Sequence, residues 1–228
     1  MRESSQEATA SSFAGLSESK IRQGLYMHTL LFYPLLVGMP YRFKFDGDQT
    51  EFQGNLETIR CAEMKPDGAR CKCKCAIGTP FCHVHLKYKH HLQIKPSTIQ
   101  GAGKGVFAVG KDAIIFRNGD PIIPYDGQHV TRHTLEERYG PNTAPYGVET
   151  GVSGEKIEDA ALRRGAGAVC NHATGHKVNA RIRWSTARHQ HEIVATKIIR
   201  NGAEVFVNYG QQYHFDEGTN FNTTSVRK

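Results

Sequence analysis

From Gln93 onward the chain consists of short apolar runs separated by glycine, proline and asparagine, and this pattern limits the fold more than any other feature. The runs are GVFAVG, AIIF, PIIPYDG, HEIVATKII and AEVFVNYG. Short β-branched runs between turn-forming residues are typical of strands, and the long 3.6-residue stripes of a helical bundle are absent from the sequence. We therefore expect a mainly β fold with short helices (α+β), the helices at residues 131–139 and, with a weaker pattern, 159–165.

Changes in composition divide the 228 residues into parts. A segment rich in Ser, Ala and Glu comes first, then an apolar and aromatic one with a strand pattern at its centre, then a cluster of cysteines and histidines. The predicted parts are a flexible tail (1–20), a segment whose packing is left open (21–58), a Cys/His module (59–92), the β domain (93–216) and a C-terminal tail (217–228).

The first residues lack the apolar centre of a secretory signal. The most apolar stretch, residues 25–37, contains Pro34 and is too short to cross a bilayer. We expect an intracellular protein without a membrane partner.

Lysine and arginine outnumber the acidic residues, and the formal net charge is +7. Two interpretations remain open: ordinary solubility, or attraction to an acidic partner such as nucleic acid or chromatin. The positive charge is concentrated between residues 65 and 95, where Asp67 is the one acidic residue. Nucleic acid is therefore a candidate partner of the Cys/His module.

Five of the six cysteines lie between Cys61 and Cys82, close to several histidines. In an intracellular chain this clustering favours metal ligands over disulfides. The alternative is a set of free or partly oxidised thiols on a basic loop. A zinc ion here would be structural, because so small a module cannot fold alone. The predicted ligands are Cys61, Cys71, Cys82 and His85, with Cys73 and Cys75 as alternates. Their spacing, C-x9-C-x10-C-x2-H, resembles the zinc element of the plant WRC domain.

Three motifs that lie far apart in the chain are candidates for one functional site. The first is the glycine run GAGKGVFA at 101–108, where the backbone can approach a ligand closely. It does not join a strand to a long helix, which excludes a dinucleotide-binding loop. The second motif is AVCNHA at 168–173, with Asn179 after it, and the third is GAEVFVNYG at 202–210.

In this order and at this spacing the motifs resemble the signatures of the SET-domain family of protein-lysine methyltransferases. Residues 124–128 (PYDGQ) are similar to the Y-x-G-E strand of that family, 157–160 (IEDA) to its isoleucine–aspartate–alanine step, and 191–199 to the strand before its closing motif. The resemblance covers residues 97–215. It implies a SET-type fold of small sheets with a pseudoknot near the cofactor site, and S-adenosylmethionine as the cofactor.

The resemblance also implies roles for individual residues. Tyr209 is expected to be catalytic, with its hydroxyl beside the methyl group in transit, and Tyr125 to be catalytic and to line the lysine channel with Val207. Because a free tyrosine titrates near pH 10, Tyr209 is not expected to act as a simple general base. The residues expected to bind the cofactor are Ala102, Gly103, Lys104, Asn171, His172, Tyr213 and Phe215.

Three positions depart from the family pattern. Asn208 replaces the usual aspartate before the closing tyrosine, and Ala168 stands where the family often has arginine. Val207 replaces the usual Phe or Tyr and leaves space, so that addition of more than one methyl group is expected to be sterically allowed. No C-x-C-x4-C segment follows Tyr209, and closure of the channel is expected from Tyr213, Phe215, Phe221 or a partner subunit.

Three hypotheses about function follow. The first is a lysine methyltransferase that acts on a histone tail or another basic protein tail, in the nucleus rather than the cytoplasm. The second is a catalytically weak SET-like module that binds chromatin, DNA or protein through its basic zinc element. The third is a purely structural zinc protein. The oligomeric state is left open, with a homodimer among the options.

Overall fold

The computed structural model of the chain describes residues 41–44, 51–54, 56–140, 144–150, 156–211 and 213, all within one compact unit, Leu36–Lys228. Strands dominate these residues and form small sheets of two or three strands, with two short α-helices between them. This confirms the expected class, mainly β with short helices. Neither helix of this part of the chain is long and apolar enough to cross a bilayer.

The N-terminal part is a hairpin followed by the Cys/His module. Its elements are β1 (Tyr41–Lys44), β2 (Glu51–Gly54), β3 (Ile59–Arg60), β4 (Lys74–Cys75), β5 (Ile77–Thr79) and α1 (His83–Tyr88). β1 pairs with β2, and β3 with β4, both antiparallel. β1 lies where the alternating pattern predicts a strand. Cys82 precedes α1 in an extended conformation, so the Cys82–His85 pair lies at the start of a helix and not in the tight turn that zinc spacing favours.

The β domain follows without a break. Its elements are β6 (Leu92–Pro96), β7 (Lys104–Ala108), β8 (Ile114–Phe116), β9 (Pro121–Pro124), β10 (Gln128–His129), α2 (Arg132–Tyr139), β11 (Gly147–Thr150), β12 (Lys156–Asp159), β13 (Arg164–Gly165), β14 (Asn171–His172), β15 (Ala180–Ser185), β16 (Gln190–Ala195), β17 (Ile199–Arg200) and β18 (Phe206–Val207). The sheets are β6–β7, β15–β16–β9, β10–β12–β11 and β17–β8, all antiparallel, together with two parallel pairs, β5–β13 and β14–β18.

Of the two predicted helices, one is confirmed and one is wrong. α2 begins after Thr131, whose side chain caps it by accepting a hydrogen bond from the Thr134 amide (3.1 Å). Residues 159–165 are not helical. Asp159 ends β12, and its side chain accepts a hydrogen bond from the Ala161 amide (3.0 Å). A short side chain that satisfies its own backbone in this way competes with helix formation.

One apolar core joins the Cys/His module to the β domain. Leu86 of α1 and Leu92 of β6 are buried in the same cluster as Val106, Ile193 and Val205. The parallel pairing of β5 with β13 adds main-chain hydrogen bonds between the two parts. The module is therefore part of the packing of the β domain, and the site described below rests on this shared core.

Candidate active site and candidate metal centre

The third motif lies against the first two in space, although about a hundred residues of sequence lie between the start of the first motif and the end of the third. β18 pairs in parallel with β14, so that Asn171 is opposite Phe206. On the other side, the Val205 amide donates to the carbonyl oxygen of Val106 in β7 (2.8 Å). The three sequence motifs are thus neighbours in space, which is the arrangement that a common site needs.

Asn171 connects all three motifs with one side chain. Its Nδ2 donates to the carbonyl oxygen of Lys104 and to Oε1 of Glu204, both at 3.0 Å. A Cβ on Gly105 would lie 2.0 Å from the same Glu204 oxygen, so only glycine fits there. Both amide hydrogens of Asn171 are used within the protein, and its Oδ1 is the atom left for a ligand.

Glu204 is the centre of this network and is 5% exposed. Its carboxylate accepts hydrogen bonds from Ser97 Oγ (2.7 Å), the Thr98 amide (2.7 Å), Thr98 Oγ1 (2.6 Å) and Asn171. Among the described residues, no Lys or Arg lies within ion-pair distance of it. Four hydrogen bonds, and not a salt bridge, therefore hold this buried group. The motif contains Glu204, but nothing in the sequence assigns it this role.

Asn179 holds the backbone of the third motif in place. Its Nδ2 donates to the carbonyl oxygen of Glu204 (2.8 Å), and its Oδ1 accepts from the Phe206 amide (2.8 Å). Its own carbonyl oxygen accepts from the Thr196 amide (2.8 Å). One residue thus ties the chain after β14 to the chain before β18, beside the region where the pseudoknot is expected.

Tyr209 lies at the end of the third motif and is half-buried. Its hydroxyl donates to the carbonyl oxygen of Cys170 (2.9 Å), and its ring is 4.8 Å from that of Tyr213. Burial, and next the neighbouring Tyr213, raises the pKa of Tyr209 well above 10. The hydroxyl is therefore neutral at physiological pH.

His172 fixes the backbone of that tyrosine. Its Nδ1 lies 3.0 Å from the amide nitrogen of Tyr209 and accepts its hydrogen. Burial lowers the pKa of His172 below its usual 6.5, so the ring is neutral at pH 7. Since Nδ1 is the acceptor, the hydrogen of the neutral ring is on Nε2.

Tyr125 is 6% exposed and belongs to the same apolar cluster as Val207. Its hydroxyl donates to the carbonyl oxygen of Tyr146 (2.8 Å), and burial raises its pKa well above 10. A Cβ on Gly165 would lie 1.8 Å from the Tyr125 carbonyl oxygen, so this glycine lets β13 cross directly over the tyrosine.

Tyr146 is a neighbour of the site that the sequence did not reveal. Its carbonyl oxygen accepts the hydrogen bond from Tyr125. The centre of its ring lies 3.6 Å from the guanidinium of Arg164, which is a cation–π contact. The adjacent Pro145 carbonyl oxygen accepts from the Tyr213 hydroxyl (3.3 Å). Residues 144–148 read as an ordinary turn and strand, and no local pattern marks them as part of a site.

The remaining predicted cofactor residues fall into two groups. Ala102, Gly103 and Lys104 are half-buried at the start of β7, with the Gly103 carbonyl oxygen accepting from the Ser97 amide (2.8 Å). Phe215 lies outside the described residues.

Asn208 and Ala168, which depart from the family pattern, both lie among the described residues. Asn208 Oδ1 accepts from the Gly210 amide (2.8 Å), a turn contact that an aspartate oxygen could also make. Ala168 is buried in the 3-10 turn Gly167–Val169.

The four predicted zinc ligands meet at one point. The ligand atoms of Cys61, Cys71, Cys82 and His85 all lie within 4.8 Å of one another. His85 Nδ1 is 3.5 Å from Cys61 Sγ and 3.3 Å from Cys82 Sγ. A tetrahedral zinc with ordinary bond lengths separates sulfur and nitrogen ligands by about 3.6 Å. Three thiols and one imidazole at these distances could hold zinc.

The alternates Cys73 and Cys75 lie outside this group. The Cys73 side chain is exposed, its main-chain N–H is directed at Cys71 Sγ (3.4 Å), and hydrogen bonding of its thiol with Cys71 raises the pKa of that thiol to about 11. Cys75 donates to the Ile59 carbonyl oxygen (3.4 Å), and burial raises the pKa of its thiol to about 11. The likeness to the WRC element stays a prediction.

No family model and no curated protein matches the chain. Among solved structures, the polycomb repressive complex 2 of Chaetomium thermophilum in complex with H3K27me3 and H3K27M is 25% identical, with a TM-score of 0.43, over 55% of this chain and 15% of that chain. The same complex in an autoinhibited conformation bound to S-adenosylmethionine is 26% identical (TM-score 0.41; 54% of this chain, 16% of that chain). The methyltransferase domain of human PR domain-containing protein 2 is 18% identical (TM-score 0.40; 56% and 82%). This chain spans less than a fifth of the polycomb chains.

Proposed function

We propose that the chain is an S-adenosylmethionine-dependent protein-lysine N-methyltransferase of the SET type. The observation that carries the proposal is the hydrogen-bonded meeting of the three motifs. Asn171 bonds to Lys104 and Glu204, and the next residue, His172, accepts the amide hydrogen of Tyr209. Motifs that resemble one family in sequence and also assemble around one tyrosine support a shared site more strongly than either observation alone.

When bound, S-adenosylmethionine supplies a methyl group on a positively charged sulfur. In the transfer, the bond from carbon to the lysine Nζ forms as the carbon–sulfur bond breaks, which leaves S-adenosylhomocysteine and a methylated ammonium group. The lysine must arrive neutral, with its proton lost to water. The task of the protein is then to align the amine, exclude water and favour positive charge.

Two tyrosine oxygens suit this task. Tyr209 donates its hydroxyl hydrogen to the Cys170 carbonyl, and Tyr125 donates its own to the Tyr146 carbonyl. With its hydrogen so directed, the oxygen end of each hydroxyl dipole is the end that would stabilise positive charge on the amine. Because burial raises both pKa values well above 10, the two groups act as neutral dipoles.

For the cofactor we propose the edge formed by the first two motifs. The backbone of Ala102, Gly103 and Lys104 would hold the methionine end. Asn171, through its Oδ1, and His172 would bind the remaining polar groups. Tyr213 and Phe215 would cover the adenine. The Cys61–His85 cluster would hold a structural zinc ion.

The substrate class that we propose is a histone tail or another lysine-containing basic tail, which would make the protein nuclear. The enzyme is tested by incubating the purified full chain with S-adenosylmethionine labelled in its methyl group and with core histones. We expect label on histone lysines and, in Tyr209→Phe, a loss of about a hundredfold or more, the cost of one well-aligned polar group in an active site.

The matched control is Tyr88→Phe, the same change at an exposed tyrosine of α1, and it should transfer label like the wild type. If Tyr209→Phe keeps full activity, Tyr209 has no role in the transfer. If the wild type binds the cofactor but labels no protein, the binding-module hypothesis replaces the enzyme.

A further inference from the structure

The outer face of α1 presents two parallel rows of exposed side chains. Residues four apart lie on the same face of a helix, so Val84 and Tyr88 form one row, and His83 and Lys87 the other. All four are exposed, and Tyr88 is 71% exposed. The opposite face is buried through Leu86 and the metal-site residue His85. An apolar–aromatic row beside a basic row is thus held at the surface by the module.

Exposed apolar surface is concentrated on this module. Met64 (47% exposed), Val84 (40%) and Tyr88 are three of the four exposed large hydrophobic residues among the described ones. Met64 is tied to the end of α1, because Lys89 Nζ donates to its carbonyl oxygen (3.1 Å). Clustered exposed apolar groups with polar surroundings mark binding surfaces more often than single ones do.

The charges around this surface are mostly positive, and three of its lysines are not in an ion pair. Residues 59–92 contain seven lysines and arginines and two acidic residues. Both acidic groups are already paired, Glu63 with Lys89 (2.8 Å) and Asp67 with Lys65 (2.7 Å). Within residues 59–92, all of them described, the lysines without a carboxylate within ion-pair distance are Lys72, Lys74 and Lys87.

These three lysines are exposed and belong to the two segments that meet at the cysteine–histidine cluster. Lys72 follows Cys71 directly, Lys74 is two residues further on, and Lys87 comes two residues after His85. Since the ligand atoms of Cys71 and His85 lie within 4.8 Å of each other, the backbone brings the three lysines to the same module beside α1.

We propose that this surface binds single-stranded nucleic acid, with Tyr88 as a stacking platform for a base and Lys72, Lys74 and Lys87 as phosphate contacts. The Lys87 ammonium is 5.5 Å from the Tyr88 ring centroid, so a base on the ring and its phosphate beside the lysine fall within reach together. Unpaired bases offer their faces to an aromatic ring, whereas the bases of a duplex are stacked on each other. An acidic peptide would engage the lysines but leave the aromatic row without a partner.

The test is a fluorescence-anisotropy titration of the full chain against a labelled mixed-sequence single-stranded 20-mer (a length of about one to five ordinary binding sites). The same strand as a duplex and a labelled polyglutamate of equal length are the comparison probes. We expect the single strand to bind most tightly. Tyr88→Ala should weaken it about tenfold or more, and Tyr88→Phe should preserve it, because stacking needs the ring and not the hydroxyl.

The salt dependence of binding distinguishes the lysine–phosphate contacts from base stacking. Replacing Lys87 by alanine should reduce the slope of log affinity against log salt by about 0.7 for a single strand. Controls are Lys111→Ala, an exposed lysine outside the module, and Ile198→Ala, an apolar residue 51% exposed; neither should change binding.

Equal binding of all three probes, tighter binding of the duplex, or indifference to Tyr88→Ala would each overturn the proposal. The absence of binding at low salt would overturn it as well. None of these readouts depends on methyl transfer, so the surface and the enzyme can fail independently.

Discussion

Glu204 is not one of the residues predicted to bind the cofactor or the substrate, but its side chain holds several parts of the candidate site together. Its carboxylate gathers Ser97, Thr98 and Asn171. We predict that Glu204→Gln lowers the free energy of unfolding by roughly 1–3 kcal/mol, because the new amide donors face existing donors in a buried place. Urea denaturation followed by circular dichroism measures this, and calorimetry should also show weaker cofactor binding.

The matched control is Glu136→Gln, the same change at an exposed position of α2. It should alter the unfolding free energy by less than about 0.5 kcal/mol. Equal stability of the two variants would mean that the Glu204 network does not hold the site together.

The second residue-scale prediction concerns pH. The fold lowers the pKa of His172 below 6.5, so the folded state favours the neutral ring. The stability from this preference is complete above about pH 6.5 and is lost as the pH falls through the folded pKa. His172→Asn keeps an acceptor near the Nδ1 position but cannot titrate there. As the pH is lowered from 7 to 5 (roughly the range in which histidines titrate), the unfolding temperature should therefore fall less steeply for the variant than for the wild type. Parallel curves for the two proteins would contradict the lowered pKa of His172.

Val207 leads to a prediction about the product. It is 1% exposed and packs with Tyr125 and Tyr209, at the position where the family often has a larger aromatic residue. The small side chain leaves space beside the amine, so dimethyl- and trimethyl-lysine should accumulate when the cofactor is in excess. Mass spectrometry of the substrate decides the matter, and a product that stops at monomethyl-lysine would refute the steric argument.

At the scale of residues, the sequence predicted the residues of local motifs but not the long-range contacts that hold them in place. The zinc ligands follow from their spacing, since Cys61, Cys71, Cys82 and His85 do converge. Tyr146 and the donors to Glu204 could not be found in the same way. Their roles depend on contacts across 21 residues and about 106 residues, and no local pattern records such pairings.

At the scale of elements, a pair of strands joins the Cys/His module to the β domain. β5 of the module pairs with β13, and β13 crosses over Tyr125 through Gly165. Removing zinc with a chelator should therefore lower the unfolding temperature of the β domain as well as the module. Tryptophan fluorescence follows this, because Trp184 belongs to β15, in a sheet of the β domain.

The matched variants for this test are two cysteine-to-serine changes. Cys82→Ser removes a ligand and should behave like the chelated protein, with less than one equivalent of zinc. Cys73→Ser changes an exposed thiol that is not one of the four proposed ligands, and because a serine hydroxyl can still hydrogen-bond to Cys71, it should keep both metal and stability. Loss of zinc without any change in the Trp184 transition would show that the two parts are energetically separate.

Elements were predictable where local rules act alone. α2 has a threonine cap and ends at a glycine, and the apolar runs of β7, β8, β9 and β16 alternate with turn residues. The helix predicted at residues 159–165 is wrong because the Asp159 side chain accepts hydrogen bonds from the Ala161 amide (3.0 Å) and from the Tyr139 hydroxyl (2.9 Å). α1 was missed because its six residues are too few for a helical pattern, and its place is set by the cluster that Cys82 and His85 join.

At the scale of the whole molecule, the boundary predicted before Gln93 cuts through β6 and through the shared core. A shortened chain that begins at Gln93 loses β5, Leu86 and Leu92, whereas one that begins at Tyr41 keeps them. We predict a cooperative unfolding transition for the longer chain, and none, or one at least about 10 °C lower, for the shorter, because two buried leucines each contribute several kcal/mol. Equal transitions would make the module dispensable.

The class of the fold followed from the sequence because short β-branched runs with turns between them leave few alternatives. The strand partners did not. β14 and β18 are two residues long, and their parallel pairing is fixed by the buried contacts of Glu204 and Asn179 and not by any strand pattern. The site is thus a property of the assembled chain, although its residues can be read from three motifs.

The central claim, that three distant motifs form one cofactor site, is tested most directly by titrating S-adenosylmethionine into the full chain in a calorimeter. We predict one binding site with a Kd below about 1 mM, the upper end of ordinary enzyme substrate constants. Tyr209→Phe should keep this binding. Gly105→Ala should lose it, since the new Cβ would fall 2.0 Å from Glu204 Oε1. A wild-type chain that is folded and releases no heat of binding would contradict the claim.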